Sequence, residues 1–183
     1  MRYYKTIRLK DGRECILRNG TAEDGQAVLD CFILTHEQTD ELFSYPDEIK
    51  LTLEKETKYL QDRAESEDEL ELVAEIDGQI VGTAGVDCIS RHEKAKHRAN
   101  FGISIDRAFW GLGIGRAMLE ACIEGARAAG YVQLELDVVA DNERALALYR
   151  SVGFVEYGLN PRGFRSRLTG WQAVALMRLE LNE

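Results

Sequence analysis

The sequence predicts one α/β domain of the α+β kind, built on a mixed central sheet of about six or seven strands. Three observations carry that reading. Segments of alternating apolar residues, such as Leu70–Ile76 and Val132–Val138, have the two-residue period of strands. An amphipathic helical run from Gly113 to Gly130 lies between two strand segments, which calls for a right-handed crossover and a parallel pair. The 183 residues hold only Pro46 and Pro161 and no repeat, low-complexity stretch or linker, so one domain is expected over residues 1–183.

In chain order, a first strand covers about Glu14–Arg18. Thr21 then has the character of a helix N-cap, with Asp24 three residues on, and a helix follows to about Thr35. A second helix is predicted over Asp47–Glu65, with Glu54, Lys55, Lys58 and Asp62 on a charged face. Leu70–Ile76 is a strand, Asp77-Gly78 a hairpin turn, and Gln79–Ile89 the return strand. Polar His92–Lys96 reads as a loop before a strand over His97–Ile105. The crossover helix buries Ile114, Ala117, Met118, Ala121, Cys122 and Ala129, and Gly130 stops it. After Val132–Val138, a short helix from Asn142 to Val152 presents Ala145, Leu148, Tyr149 and Val152 on one face. Strands at about Phe154–Leu159 and Gln172–Leu181 close the domain.

Composition narrows the function. Net charge is −9, from 23 basic and 32 acidic residues, which argues against a nucleic-acid partner and suits a cationic, amine-bearing substrate or simply a soluble surface. Charges interrupt the first twenty residues, and no run reaches the 18 or so apolar residues of a membrane span. Cys15, Cys31, Cys88 and Cys122 have neither metal-ligand spacing nor a disulfide pattern and read as reduced, buried small hydrophobes. A cytoplasmic protein with no metal and no membrane partner is expected.

The most informative stretch is Ile103-Ser104-Ile105-Asp106-Arg107-Ala108-Phe109-Trp110-Gly111-Leu112-Gly113-Ile114-Gly115-Arg116. Glycines at alternate positions between a strand and a helix start let successive N–H groups converge on an anion, helped by the helix dipole. A phosphate or pyrophosphate cradle is expected, against the alternative of a turn that is glycine-rich for steric reasons. A nucleoside triphosphate is disfavoured, because Arg116-Ala117 follows Gly115 where a Lys-Ser/Thr ending is needed. A dinucleotide is a weaker alternative. Asp137 lies near where a ribose-binding acid would sit, yet Gly-x-Gly-x-x-Gly fails in either frame and Asp106–Trp110 separates strand from loop.

On this loop and a second segment, Asp141-Asn142-Glu143-Arg144-Ala145-Leu146-Ala147-Leu148-Tyr149-Arg150-Ser151-Val152-Gly153-Phe154, the sequence resembles the GCN5-related N-acetyltransferase (GNAT) superfamily. Trp110-Gly111-Leu112-Gly113-Ile114-Gly115 is similar to the family's Arg/Gln-x-x-Gly-x-Gly/Ala motif, and the Asn, Ala, Tyr and Gly-Phe of the second segment recur at family spacing. The resemblance covers roughly residues 70–181. It implies a mixed sheet with helices on both faces. Two departures stand out: Trp110 replaces the usual Arg or Gln, and Ala173 stands about where an acidic residue is often found.

The resemblance implies acetyl-CoA as acyl donor. Its pyrophosphate would lie on Gly111, Leu112, Gly113, Ile114, Gly115 and Arg116, and its pantetheine in a gap beside the backbone of Ile103, Ser104 and Ile105. Asn142 and Tyr149 would complete the cofactor site. An N–H of this strand, that of Ile105 for instance, would polarise the thioester carbonyl. Tyr149, protonated at neutral pH, is the candidate acid for the departing thiolate, against the alternative of a plain core tyrosine. No base is identified; His97, Asn100, Asp87 and Glu54 do not stand out. The implied activity is transfer of an acetyl group to a primary amine of a small molecule, directly in a ternary complex. Acylation of a protein N-terminus, another acyl-CoA donor, and a non-catalytic CoA sensor are the alternatives. A homodimer is compatible with the family. Arg162, Arg165 and Arg167 face a substrate carboxylate, a CoA phosphate or solvent.

Overall fold

A computed structural model describes residues 2–48 and 50–181. Its strands are β1 (Tyr4–Arg8), β2 (Glu14–Asn19), β3 (Leu70–Ile76), β4 (Gln79–Cys88), β5 (Arg98–Ile105), β6 (Gln133–Val139), β7 (Val155–Ser166) and β8 (Gly170–Glu180). Its helices are α1 (Gly25–Glu37), α2 (Leu53–Glu65), α3 (Ile114–Ala128) and α4 (Glu143–Ser151). The strands form one sheet in the order β1-β2-β3-β4-β5-β6-β8-β7. Only β5 and β6 are parallel, joined by the α3 crossover; the other neighbours are antiparallel.

Side-chain alternation assigns the helices to opposite faces. Leu72, Ala74 and Ile76 of β3 join the core beneath α3 and α4, with Met118, Leu119, Cys122 and Leu146. Val73, between them, packs with Val28 and Cys31 of α1 and Leu60 of α2. One slip in β3 register would exchange these two sets.

Helix ends follow local chemistry. The Asp24 carboxylate accepts from the Thr21 N–H at 2.8 Å, opening a short 3-10 turn that leads into α1. Asn142 Oδ1 accepts from the Ala145 N–H at 3.0 Å and caps α4. The predicted helix over Asp47–Glu65 starts later, at Leu53, because Thr52 is extended and its hydroxyl accepts from the Lys55 N–H. Ile49 within that prediction lies outside the described residues.

The described residues form a sheet of eight strands where the sequence predicted about six or seven. The addition is β1, an exposed edge strand returned to β2 through Gly12 at φ +90°. β7 also runs on to Ser166, well past Leu159. Its pairing with β8 is broken between Glu156 and Gly158 and between Asn160 and Phe164, so the second irregularity takes up Pro161 on an edge strand.

Two buried acids, Glu56 and Glu71, mark the α2 face. Glu71 is 8% exposed, and the Tyr59 hydroxyl donates to it at 3.2 Å. Burial, with repulsion from Asp87, pushes its carboxyl up to about 8. Folding stability from this group is therefore whole below its unfolded value near 4.5 and falls as pH rises towards about 8. Glu71→Gln does not titrate. Its melting temperature is expected to gain on the wild type by about 5 °C or more between pH 5 and pH 8. A constant difference across that window would contradict the assignment.

Candidate active site

The site begins where β5 and β6 part. Their pairing covers Arg98–Asn100 with Gln133–Glu135 and stops there. Beyond it, β5 stays on β4 as far as Ile105, while β6 stays on β8 as far as Val139. A wedge opens between the two strands. Its closed end carries an ion pair, with Arg98 Nη2 donating to Glu135 Oε2 at 2.7 Å.

Strand parity shows what the wedge exposes. The Asp106 N–H donates to Val81 of β4, and the Arg98 carbonyl accepts from Ile89 on the same side. Backbone groups alternate along an extended strand, so the N–H groups of Ile103 and Ile105 turn into the wedge. The Ser104 main chain turns to β4 instead, and its hydroxyl meets Thr35 Oγ1 of α1 at 3.2 Å. The Ile105 carbonyl already accepts from Trp110 Nε1 at 2.7 Å.

The wedge is part of a cavity of about 750 Å³ that runs on to the glycine loop. Gly111 (φ +79°) and Gly113 (φ +103°) are left-handed, and an added Cβ at either would meet no protein atom within 4 Å. Gly113 caps α3, leaving the first N–H groups of the helix free to bind an anion. Gly115, the second residue of α3, sits where a Cβ would touch Ile105 and Leu148 at 3.5 Å. Of the sequence-predicted set, Ile103, Ser104, Ile105, Gly111, Gly113, Ile114, Gly115, Arg116, Asn142 and Tyr149 all line this cavity. Leu112 does not: its side chain packs on the core, and its carbonyl accepts from the Lys10 N–H at 3.2 Å.

Tyr149 closes the wedge from the α3 face. Its ring meets Phe101 edge-on at 6.2 Å and Phe154 at 5.9 Å. It is 8% exposed, and burial pushes its phenol up to about 12. Among the described residues nothing hydrogen-bonds its hydroxyl, which is thus a protonated donor facing the cavity. Asn142 is more occupied than expected. Besides capping α4, its Nδ2 donates to Glu41 Oε2 at 2.8 Å, tying α4 to the segment after α1.

Other lining residues escaped the sequence reading. Arg144 stacks 3.4 Å over the Trp110 ring, which puts a cation beside the glycine loop although Trp110 itself carries none. Lys10, brought in by the β1–β2 hairpin, and Glu41, Phe43 and Phe164 also reach the cavity. Phe164 meets Phe43 edge-on at 5.6 Å. Asp137 stands on the wedge, a strand away from any ribose position at the head of α3. Of the three arginines left open, Arg167 bonds Asp47 at 2.8 Å, while Arg162 and Arg165 lie over Trp171.

An anion cradle, three cations and an open strand edge in one cavity fit a ligand with phosphates at one end and an amide-bearing arm at the other. That combination suits coenzyme A. The comparisons agree: residues 33–154 match the model of the Acetyltransferase (GNAT) family, and the chain belongs to this family of acetyl-CoA-dependent N-acetyltransferases. Over 101 residues it is 41% identical to the N-alpha-acetyltransferase RimI of Mycobacterium tuberculosis, covering 55% of this chain and 60% of that one. It is 35% identical over 82 residues to the ribosomal protein bS18-alanine N-acetyltransferase of Salmonella typhimurium, covering 45% and 55%. The matches thus span under two thirds of these relatives. A GNAT-family acetyltransferase from Streptococcus pneumoniae superposes with a TM-score of 0.86 at 27% identity, over 92% of this chain and 99% of that one. No described helix is long and apolar enough to cross a membrane.

Two substitutions test the cradle by calorimetry with acetyl-CoA. Gly113→Ala forces a side chain onto a left-handed backbone and into the cavity. It should cost about 1–2 kcal/mol of apo stability and at least about tenfold in affinity. Unchanged affinity in a folded variant would reduce the loop to a turn. Arg144→Ala should weaken binding several-fold, and by more at low salt; an effect indifferent to salt would deny it a phosphate contact.

Proposed function

We propose that this chain transfers the acetyl group of acetyl-CoA to the primary amine of a small molecule, by direct attack in a ternary complex, with Tyr149 as the acid. The wedge between β5 and β6 carries the proposal, since it is open to both sheet faces. The acyl donor reaches it from the glycine-loop side, and an amine enters past α1. The N–H of Ile105 or Ile103 donates to the thioester oxygen as that oxygen gains charge. The nitrogen lone pair forms the new C–N bond, and the C–S bond breaks with its electrons left on sulfur. Tyr149 gives the sulfur its proton and regains one from solvent, to which the nitrogen releases its own. Gly111, Gly113, Ile114, Gly115 and Arg116 hold the pyrophosphate in this reading.

The segment after α1 supports a small acceptor. Asp40 accepts from the Tyr45 hydroxyl at 2.7 Å, and the same hydroxyl accepts from the Arg167 N–H at 2.9 Å. These bonds tie residues 40–47 to the β7–β8 hairpin over the acceptor side, which leaves little room for a lysine on a folded surface. A polypeptide N-terminus is the second reading, favoured by the names of the two curated relatives. A single cytoplasmic domain is part of the proposal, supported by one continuous sheet and four free cysteines.

Free-thiol release from acetyl-CoA with a panel of small amines and short peptides tests the reaction. Tight CoA binding without turnover on any amine would make the chain a sensor. Tyr149→Phe keeps the ring and removes the proton: kcat is expected to fall by roughly 10²-fold or more, with little change in acetyl-CoA affinity. The loss should shrink at high pH, where the thiolate leaves more readily unaided. A full kcat with chemistry rate-limiting would remove Tyr149 from the reaction.

A further inference from the structure

The charged residues around the cavity are sorted by place. Its cations gather at the glycine loop: Lys10 through its bond to Leu112, Arg116 in the first turn of α3, and Arg144 on Trp110. Two acids, Glu41 and Asp137, line it elsewhere, Glu41 beyond the end of α1 and Asp137 on β6. They differ in one respect. Glu41 already accepts from Asn142, and on β6 Glu135 is paired with Arg98. The Asp137 carboxylate, by contrast, has no hydrogen-bond or ion-pair partner among the described residues.

Parity fixes where Asp137 points. Leu134, Leu136 and Val138 enter the core beneath α3 and α4, so Asp137 projects from the other sheet face, the one on which Ser104 meets α1. It lies two residues past Glu135, the last residue of β6 paired with β5, and so on the open part of the wedge. A second unpartnered group looks into the same cavity from the opposite face: the Tyr149 hydroxyl, on a side chain more than nine-tenths buried. A proton donor and a free carboxylate thus flank the wedge from its two sides. Around the acceptor side Leu42, Phe43 and Phe164 supply apolar surface, and none of the three lining cations is there.

Resting on the acetyl-transfer reading, we propose that Asp137 is the residue that receives the acceptor's ammonium group, and that the site selects amines with no carboxylate beside the nitrogen. Asp137 attracts the cation, which gives up one proton to solvent before its nitrogen attacks. A carboxylate one carbon away would be brought towards Asp137 and Glu41 with none of the three lining cations to meet it, and like-charge repulsion rejects it. Amines with an apolar body, including an amino acid whose carboxyl is masked as an amide, are the favoured class; free amino acids are the excluded one.

Equilibrium binding tests this without requiring turnover. L-phenylalaninamide and L-phenylalanine, which differ only at the carboxyl, are titrated into CoA-loaded protein at about pH 6.5, where both nitrogens are largely protonated. The amide is expected to bind at least about tenfold tighter. Asp137→Asn should erase most of that preference by weakening the amide about tenfold, with melting temperature and CoA affinity unchanged. Asp137→Ser serves equally should the Asn variant not fold. Equal or tighter binding of phenylalanine, or undiminished amide binding in the folded variant, would overturn the proposal. Thiol release on the wild type separates the two readings: an amide that binds as described but is never acetylated sinks the reaction and leaves the ammonium site standing.

Discussion

Three residue pairs hold the two halves of this sheet together. Arg98, Ala99 and Asn100 of β5 meet Gln133, Leu134 and Glu135 of β6, and among the described residues no further strand pairing joins β1–β5 to β6–β8. Each strand is fixed from outside, β5 by seven pairs with β4 and β6 by seven with β8, so the wedge between them is held open by the ladders that flank it. Closing it would strip pairs from one of those ladders. The backbone donors of Ile103 and Ile105 therefore stay available, which an intact sheet would not allow. The Arg98–Glu135 pair at the apex has Glu135 only 6% exposed, and it marks the point where the strands part.

That geometry also organises charge. The molecule carries −9 overall, yet the cavity gathers Lys10, Arg116 and Arg144 at one end. They come from the β1–β2 hairpin, α3 and α4, three segments with no local resemblance that meet only because α3 starts at the mouth of the wedge. Trp110 takes part by an indirect route. Its indole N–H is spent on the Ile105 carbonyl, which orients the ring, and the ring face then receives the Arg144 guanidinium. Where the family motif usually has Arg or Gln at this position, a cation here comes from the first turn of α4.

What the sequence revealed and what it concealed divide along the range of the interactions. The glycine loop and the Asn142–Tyr149 segment are local: a cradle needs alternate glycines before a helix, and a cap with an apolar face needs fixed spacing, so both were legible. The Asp11-Gly12 turn is the same kind of signal as Asp77-Gly78. It went unused because β1 is an exposed edge strand without apolar alternation. The length of β7 was hidden by Pro161 and two irregularities, which break the two-residue period. The acceptor side was not legible at all. Its residues come from α1, the segment after it, β6 and β7, and only the tertiary fold brings Phe43 to Phe164 or leaves the Asp137 side chain without a partner among the described residues. Asn142 shows the limit of motif transfer: the motif identified the residue, and the structure gives its amide to Glu41.

The burial that keeps Tyr149 protonated also limits what it can do with the proton. A phenol at about 12 is a poor acid towards a thiolate whose free counterpart lies near 8.5. Full transfer from this buried phenol to a solvated thiolate would be uphill. A sulfur leaving in the same narrow gap is itself desolvated, which raises its affinity for a proton and brings the two groups closer in strength. A hydroxyl with no other partner also spends nothing in turning towards that sulfur, because there is no protein hydrogen bond to break. In the proposed reaction Tyr149 therefore donates a hydrogen bond to sulfur as charge develops on it, and passes its proton across once desolvation has brought the two acidities together. Isolation of the hydroxyl from protein partners matters more to that role than acidity does, and the aromatic walls of Phe101 and Phe154 are what secure it.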